Sequence, residues 1–90
     1  MSITVSIPTI LRTYTANARS VDADGNTLNE VIANLEKQFP GIGDRLLENG
    51  ELRRFVNIYI NDEDVRFLGS LQASLADGDT VTVLPAVAGG

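Results

Sequence analysis

The feature that most constrains the fold is one amphipathic helix, which the sequence predicts between Thr27 and Pro40. Glu30 follows Thr27 by three residues, the spacing of a capping box in which each side chain accepts a hydrogen bond from an unpaired backbone N–H. Behind this start, apolar residues recur at helical spacing along one face, namely Leu28, Val31, Ile32, Leu35 and Phe39. Pro40-Gly41 ends the helix. A stripe of this kind must be buried against another layer of the molecule.

The segments before the helix follow a strand pattern. Ile3, Val5 and Ile7 alternate with polar residues, and such alternation of β-branched side chains is typical of a strand. A second strand is predicted at about residues 18–23, so that the two form an opening hairpin with a loop near residues 13–17. The turn residues Asp24, Gly25 and Asn26 then lead into the helix.

The C-terminal half is predicted to supply the remaining strands. A short helical turn that contains Ile42, Leu46 and Leu47 comes first. In the strand that follows, one side carries Val56, Ile58 and Ile60, and the other side carries Phe55, Asn57 and Tyr59. The polar run at residues 61–64 turns the chain, and the sequence VRFL at residues 65–68 is expected to return as a short strand. Asp77-Gly78 makes the last turn, before a strand in which Val81 and Val83 alternate with threonines.

The order of these elements is strand, strand, helix, strand, short strand, strand. It predicts an α+β architecture with one main helix across one face of a mixed sheet. Because one helix covers only one face, we expect the opposite face to be open to partners. Residues 1–85 are predicted to form a single domain, and residues 86–90 an extended C-terminal tail.

Composition narrows the possible chemistry. The 90 residues suit one domain, and they contain no cysteine and no histidine, which removes the usual nucleophile, general base and transition-metal ligand. A net charge of −5, with only one pair of adjacent basic residues, argues against nucleic-acid binding and is compatible with a basic protein partner. The sequence predicts neither a signal peptide nor a membrane helix, so a cytoplasmic location without membrane association is expected.

Three polar segments are weighed as sites and interpreted as structural. Residues 22–26 resemble the start of a calcium-binding loop, but the sixth and twelfth positions hold Thr27 and Ala33 rather than glycine and glutamate. The carboxylates within residues 61–64 are interpreted as a solvated turn, and no metal site is expected there. Residues 53–54 are both arginines, which we interpret as the solvated start of a strand.

The C-terminal sequence VTVLPAVAGG is different, because its last strand leads directly to Gly89-Gly90. Glycine loses more conformational entropy on ordering than any other residue, so packing does not explain the pair. A side-chain-free end suits threading into a narrow channel, where it would present the α-carboxylate of Gly90. On the residues alone, a functional tail and an idle one both remain open.

The order of elements, the segments FVNIYINDEDVRFL and LADGDTVTVLPAVAGG, and the Gly-Gly end resemble the ubiquitin-like sulfur carriers of the ThiS/MoaD family. Within that family, the likeness is to the carriers of actinobacterial cysteine biosynthesis, and it covers about residues 3–90. The resemblance implies a β-grasp fold. It also implies that Gly89 and Gly90 form the functional end, and that Ala86, Val87 and Ala88 form the extended arm that is threaded into a partner.

The resemblance implies a protein co-substrate rather than an enzyme. A ubiquitin-activating-type enzyme uses ATP to adenylate the carboxylate of Gly90, and a sulfur donor displaces AMP to leave a thiocarboxylate. In the cysteine pathway this sulfur attacks an aminoacrylate formed by a PLP-dependent cysteine synthase. After an acyl shift, a metallopeptidase releases the cysteine. No cofactor is expected to be bound to the carrier itself.

Two other functions of the same family remain open. One is the small subunit of molybdopterin synthase, and the other is a ubiquitin-like modifier that forms isopeptide bonds with lysines. Many molybdopterin-type tails carry a second proline and a serine where this chain has Ala86 and Ala88, which favours the cysteine pathway. We also predict that the sheet face opposite the helix docks the activating enzyme, with Tyr59, Phe67 and Leu84 as candidate contacts.

Overall fold

The computed structural model describes residues 2–54 and 56–85, with the backbone alone at Pro85. Seven strands and two α-helices are found in this part of the chain. In chain order they are β1 (Ser2–Ser6), β2 (Ser20–Asp24), α1 (Leu28–Gln38), α2 (Ile42–Leu46), β3 (Leu47–Glu48), β4 (Glu51–Leu52), β5 (Val56–Ile60), β6 (Glu63–Asp64) and β7 (Thr80–Pro85). Three short 3-10 helices lie at Thr9–Leu11, Val65–Phe67 and Ser70–Gln72.

The main sheet is mixed, as the sequence predicts. Its strand order is β2-β1-β7-β5-β6, and β3 and β4 pair separately as a small hairpin. The β1 and β7 strands lie side by side and parallel, whereas the other neighbours are antiparallel. The last strand therefore lies in the middle of the sheet, held by β1 on one side and β5 on the other.

The start of α1 confirms the capping prediction with one difference. The Thr27 Oγ1 accepts a hydrogen bond from the Glu30 N–H at 3.3 Å. The Glu30 carboxylate, however, accepts from the N–H of Asn26 at 3.0 Å rather than from that of Thr27. The turn before the helix and the helix start are therefore fastened together, which fixes the direction in which α1 leaves β2.

The core lies between one face of the sheet and the helices. The stripe residues Leu28, Val31, Ile32 and Leu35 are buried, and Phe39 packs partly buried at the helix end. The inward residues of the strands are buried with them, namely Ile3, Val5, Ile58, Ile60, Val81 and Val83. This confirms the strand alternation and the helix face predicted from the sequence. The described residues contain no helix long and apolar enough to cross a membrane.

Two local predictions are incomplete or wrong. The sequence VRFL is not a strand. The strand after the turn is Glu63–Asp64. Residues 65–67 form a 3-10 helix that is capped by Asp64, whose side chain accepts a hydrogen bond from the Arg66 N–H at 2.9 Å. The hairpin of β3 and β4 was not predicted, although its turn residues Asn49 and Gly50 both have positive φ, as a two-residue hairpin turn requires.

Candidate functional site

The end of β7 is anchored firmly in the domain. Val81 and Val83 point into the core and are 1% and 3% exposed. Pro85, the last described residue, pairs in register with Val56 of β5. The predicted functional end, residues 86–90 including Gly89 and Gly90, lies outside the described residues. The described part of the chain therefore ends on the central strand of the sheet, and residues 86–90 follow that strand in sequence.

The sheet face opposite α1 carries two of the three predicted docking residues. Tyr59 pairs with Thr82, and Leu84 lies two residues further along β7, opposite Asn57. Side chains two apart in a strand share a face, so Tyr59 and Leu84 are diagonal neighbours. Leu84 is 47% exposed and Tyr59 is half-buried. Their placement on one open face agrees with the prediction, and a docking role for them stays a prediction.

Phe67 lies elsewhere, which corrects the assumption that it belongs to a strand. It is in the 3-10 helix that follows β6 and is 86% exposed, and Leu68 beside it is also exposed. Its neighbour Arg66 reaches back to the open face, where its guanidinium donates to the side-chain oxygen of Asn57. Phe67 is therefore an exposed aromatic at the β6 edge of the sheet, and it was found from sequence only by its residue type.

The acidic turn at residues 61–64 is part of the framework. Asn61 and Asp62 have positive φ and form the two-residue turn between β5 and β6. The Asn61 amide donates to the Asp79 carboxylate at 2.9 Å, and its side-chain oxygen accepts from Thr80 N at 3.0 Å. Hydrogen bonds from the Ala76 N–H and from Asn61 hold the pKa of Asp79 below its ordinary value. This network ties the turn to the start of β7.

The calcium-like segment at residues 22–26 has structural partners as well. The Asp24 N–H donates to the Asn34 side chain at 3.1 Å, and Gln38 donates to the Asp22 carbonyl at 3.0 Å. Side chains of α1 therefore cover the outer edge of β2, which would otherwise present unpaired backbone groups. Across residues 2–54 and 56–85, no three carboxylates gather in an arrangement that would hold a metal ion.

A groove beside the end of β7 was missed by sequence reasoning. We call it the arginine groove; it is lined by Arg45, Arg53, Arg54, Glu48, Ile10 and Val83, among others. Only the adjacent pair of arginines was considered from sequence, because the folding of α2 and the β3–β4 hairpin is needed to place Arg45 in the same groove as Arg53 and Arg54. Arg53 is not simply solvated, since its Nε donates to the Asp44 carbonyl at 2.7 Å.

The fold and its relatives define the class of protein. The mixed five-stranded sheet crossed by one main helix is the ubiquitin-like β-grasp fold, as predicted. The crystal structure of the Amycolatopsis orientalis BexX/CysO complex contains a chain that matches with a TM-score of 0.94 and 57% identity, over 98% of this chain and 99% of that one. The ThiS family model matches residues 5–90. The chain belongs to the ThiS family.

Two relatives in sequence sharpen this assignment. Sulfur carrier protein CysO of Mycobacterium tuberculosis is 59% identical over 93 residues, which cover 100% of both chains. Small archaeal modifier protein 3 of Haloferax volcanii is 40% identical over 67 residues, or 74% of this chain and 73% of the relative. The resemblance to the sulfur carriers of this family, recognised from the sequence motifs, is confirmed.

Proposed function

We propose that this protein is a sulfur carrier whose reactive group is the α-carboxylate of Gly90. The observation that carries the proposal is the extent of the likeness. The family match continues to residue 90, and CysO of M. tuberculosis aligns over its full length, so Gly89 and Gly90 lie within the matched region. The position of β7 supports it, because a strand anchored in the core leads directly to residues 86–90.

The proposed chemistry uses the C-terminal carboxylate, which needs no side-chain nucleophile. The sequence contains no cysteine and no histidine. Attack of the Gly90 carboxylate oxygen on the α-phosphorus of ATP releases pyrophosphate and forms an acyl-adenylate, which carries a good leaving group. Sulfur from a donor then bonds to the acyl carbon, the bond to the AMP oxygen breaks, and a thiocarboxylate remains. Both steps take place on an activating enzyme, so the carrier acts as a co-substrate.

The folded domain provides the surface that the activating enzyme binds. In its solved complex the A. orientalis CysO is bound to BexX, which supports a protein partner for the present chain. We propose that the open face around Tyr59 and Leu84 contacts the activating enzyme, with Phe67 at the adjoining edge. These side chains are partly or largely exposed, whereas the inward side chains of the same strands are buried.

We propose cysteine biosynthesis as the destination of the sulfur, on the strength of the 59% identity to CysO. The thiocarboxylate sulfur would attack an electrophilic carbon of an activated serine held by a PLP-dependent cysteine synthase. An S-to-N acyl shift would then place the new cysteine in an amide with Gly90. A metallopeptidase that hydrolyses this amide would release cysteine and restore the carboxylate.

The central experiment is intact-mass analysis of the C-terminus. The chain is incubated with its activating enzyme, ATP and a sulfur donor, and we expect one oxygen to be replaced by one sulfur. Matched controls omit ATP or use the chain without Gly90, and both should leave the mass unchanged. A sulfur-containing product that persists without Gly90 would refute the assignment of the site.

The acceptor is tested with the thiocarboxylated chain. Incubation with the cysteine synthase and an activated serine should add one cysteine to the C-terminus, and the metallopeptidase should remove it. If the sulfur stays on the carrier here but moves to a molybdopterin precursor in the presence of a larger synthase subunit, the cysteine assignment is wrong.

A protein modifier is the second candidate, because small archaeal modifier protein 3 is 40% identical. In that case the activated Gly90 would form an isopeptide bond with a lysine of another protein. Cells that express a tagged chain would contain stable conjugates of higher mass, which disappear when Gly90 is deleted and resist reducing agents. Absence of such conjugates, with the thiocarboxylate present, would leave the carrier function.

A further inference from the structure

The arginine groove concentrates positive charge on an acidic protein. Three of the seven basic residues of the chain line it, against one acidic residue, Glu48, while the whole chain has a net charge of −5. The remaining surface is therefore more acidic than the total charge suggests. An anionic partner would be attracted to this groove and repelled by the rest of the molecule.

The three arginines differ in how far their charge is already compensated. Arg53 lies 3.8 Å from the Glu48 carboxylate and also donates to a backbone carbonyl. Arg45 donates to the hydroxyl of Tyr14 at 2.9 Å and lies over its ring, which leaves its charge uncompensated by any carboxylate in the described chain. Arg54 is exposed and has no side-chain partner within residues 2–54 and 56–85. Arg54 is therefore the cation most available to a partner.

An apolar surface accompanies these charges. Ile10, in the first 3-10 helix, is 66% exposed at the rim of the groove, next to the buried Leu11. An exposed aliphatic side chain in the same groove as Arg45 and Arg54, neither of which has a carboxylate partner among the described residues, favours a partner segment that is acidic and carries at least one apolar side chain. A nucleic acid fits less well, because the acidic surroundings would repel an extended phosphate backbone.

The groove also lies close to Pro85, the residue after which the segment that ends in Gly90 begins. Val56 lines it and pairs with Pro85, so the groove borders the start of residues 86–90. Five residues span at most roughly 16–18 Å when fully extended. An enzyme that holds Gly90 therefore has its surface within that distance of the groove. This second observation links the groove to the activating enzyme.

We propose that the arginine groove docks an acidic segment of the activating enzyme, with an apolar side chain of that segment covering Ile10. The proposal rests on the proposed function, since it takes the enzyme that adenylates Gly90 as the partner. Charged contacts of this kind mainly govern the association rate and specificity, and they weaken as salt increases. The open face would contact the same enzyme through apolar side chains, so the two surfaces have different salt dependence.

The test measures the dissociation constant of the full chain and its activating enzyme by isothermal titration calorimetry, at about 50 mM and about 500 mM NaCl. We expect Arg54→Glu to raise Kd about tenfold at low salt and much less at high salt. Ile10→Ser should raise Kd at both salt concentrations, because it removes apolar contact rather than charge. Thermal unfolding of both variants is recorded alongside; within residues 2–54 and 56–85, Arg54 has no side-chain hydrogen bond or ion pair to lose.

Arg19→Glu is the matched control. Arg19 is also exposed, has no side-chain hydrogen bond or ion pair among the described residues and does not line the groove, and the charge change is the same. We expect it to change Kd less than about twofold. If Arg19→Glu weakens binding as much as Arg54→Glu, only the total charge matters and the docking site is refuted. An unchanged Kd for Arg54→Glu refutes it as well.

Failure of the proposed function can be distinguished from failure of the docking proposal. The proposed function is wrong if the wild-type chain binds the enzyme but forms no thiocarboxylate, irrespective of the Kd values of the groove variants. If the wild-type chain forms the thiocarboxylate and Arg54→Glu binds equally well, only the docking proposal is wrong. A short single-stranded DNA that binds through Arg54 more tightly than the enzyme does would also overturn it, in favour of a nucleic acid.

Discussion

Gly25 lies where the chain turns from β2 into α1, and its substitution tests how closely these two elements must approach. A Cβ at this position would lie 2.7 Å from the backbone nitrogen of Val31, and 2.9 Å from the Cβ of Glu30. A backbone atom in the first turn of α1 cannot move alone, because the helix start is held by the Thr27 cap and by the bond from Leu28 N to Ala73 O at 3.0 Å. Gly25→Ala must therefore displace the helix.

The expected destabilisation follows from two opposing effects. Overpacking in a rigid environment costs about 1–3 kcal/mol, and contact with backbone places Gly25→Ala at the upper end of that range. Loss of chain entropy in the unfolded state offsets about 0.4–1 kcal/mol of this. We therefore expect the free energy of unfolding to fall by about 2 kcal/mol, which lowers Tm by roughly 8–16 °C for a domain of this size.

The assay is urea unfolding followed by far-ultraviolet circular dichroism, with two-state analysis of the midpoint and slope. Gly50→Ala is the control, because Gly50 has a φ of +81° but, apart from its chain neighbours, no atom of the described residues lies within 4 Å of the added Cβ. Its cost is conformational, at about 1 kcal/mol before the entropy gain. If Gly25→Ala destabilises the protein less than Gly50→Ala, the steric argument for the β2–α1 junction is refuted.

Three further predictions concern the supports of the site. Glu36→Ala should lower the free energy of unfolding by about 1–2 kcal/mol in urea titrations, because the Glu36 carboxylate accepts from the backbone N–H groups of Gly41 and Gly43 at the start of α2. Asp79 has a pKa lowered by its hydrogen bonds, so its stabilising effect is complete above the unfolded pKa and is lost as pH falls through the folded one. The difference in urea midpoint between wild type and Asp79→Asn should therefore narrow as pH falls below about 4. Leu84→Asp should preserve the thermal unfolding curve and lower kcat/KM for adenylation about tenfold or more, because Leu84 is 47% exposed on the open face.

Each of these has a contrary outcome. An unchanged urea midpoint for Glu36→Ala would show that the two hydrogen bonds to Gly41 and Gly43 do not stabilise the start of α2. If the difference in urea midpoint between wild type and Asp79→Asn stays constant from neutral to acid pH, ionisation of the Asp79 carboxylate does not contribute to stability. Unfolding of Leu84→Asp would place Leu84 in the core rather than on the docking face.

Several elements could be predicted because their signals are local. The apolar stripe and the N-terminal cap of α1 follow from residues 27–39 alone, because helical spacing and a capping pair occur together there. The alternation in β1, β5 and β7 is equally local, and it correctly separates the buried side chains from those of the open face. Gly89 and Gly90, the proposed functional residues, were singled out by their position at the end of the chain, and only the resemblance assigned them a role; that role stays a prediction.

Two features were not predicted correctly, and each failure has an identifiable reason. The sequence VRFL has the composition of a strand, but a tight turn at residues 61–62 and the Asp64 cap divert it into a 3-10 helix after two strand residues. The β3–β4 hairpin carries the Asn49-Gly50 signal in the sequence, yet its strands are only two residues long, too short for an alternation pattern.

The sequence by itself determined the class of fold, the buried face of each main element and the family. Only the tertiary structure decided that β7 lies parallel to β1 in the centre of the sheet and that Pro85 pairs with Val56. It also decided that Arg45 and Arg54 line the same groove. The physical reason is that periodicity reports which side of an element faces the core, whereas pairing between distant segments depends on how all the elements pack together. The groove beside the last strand is a product of that packing.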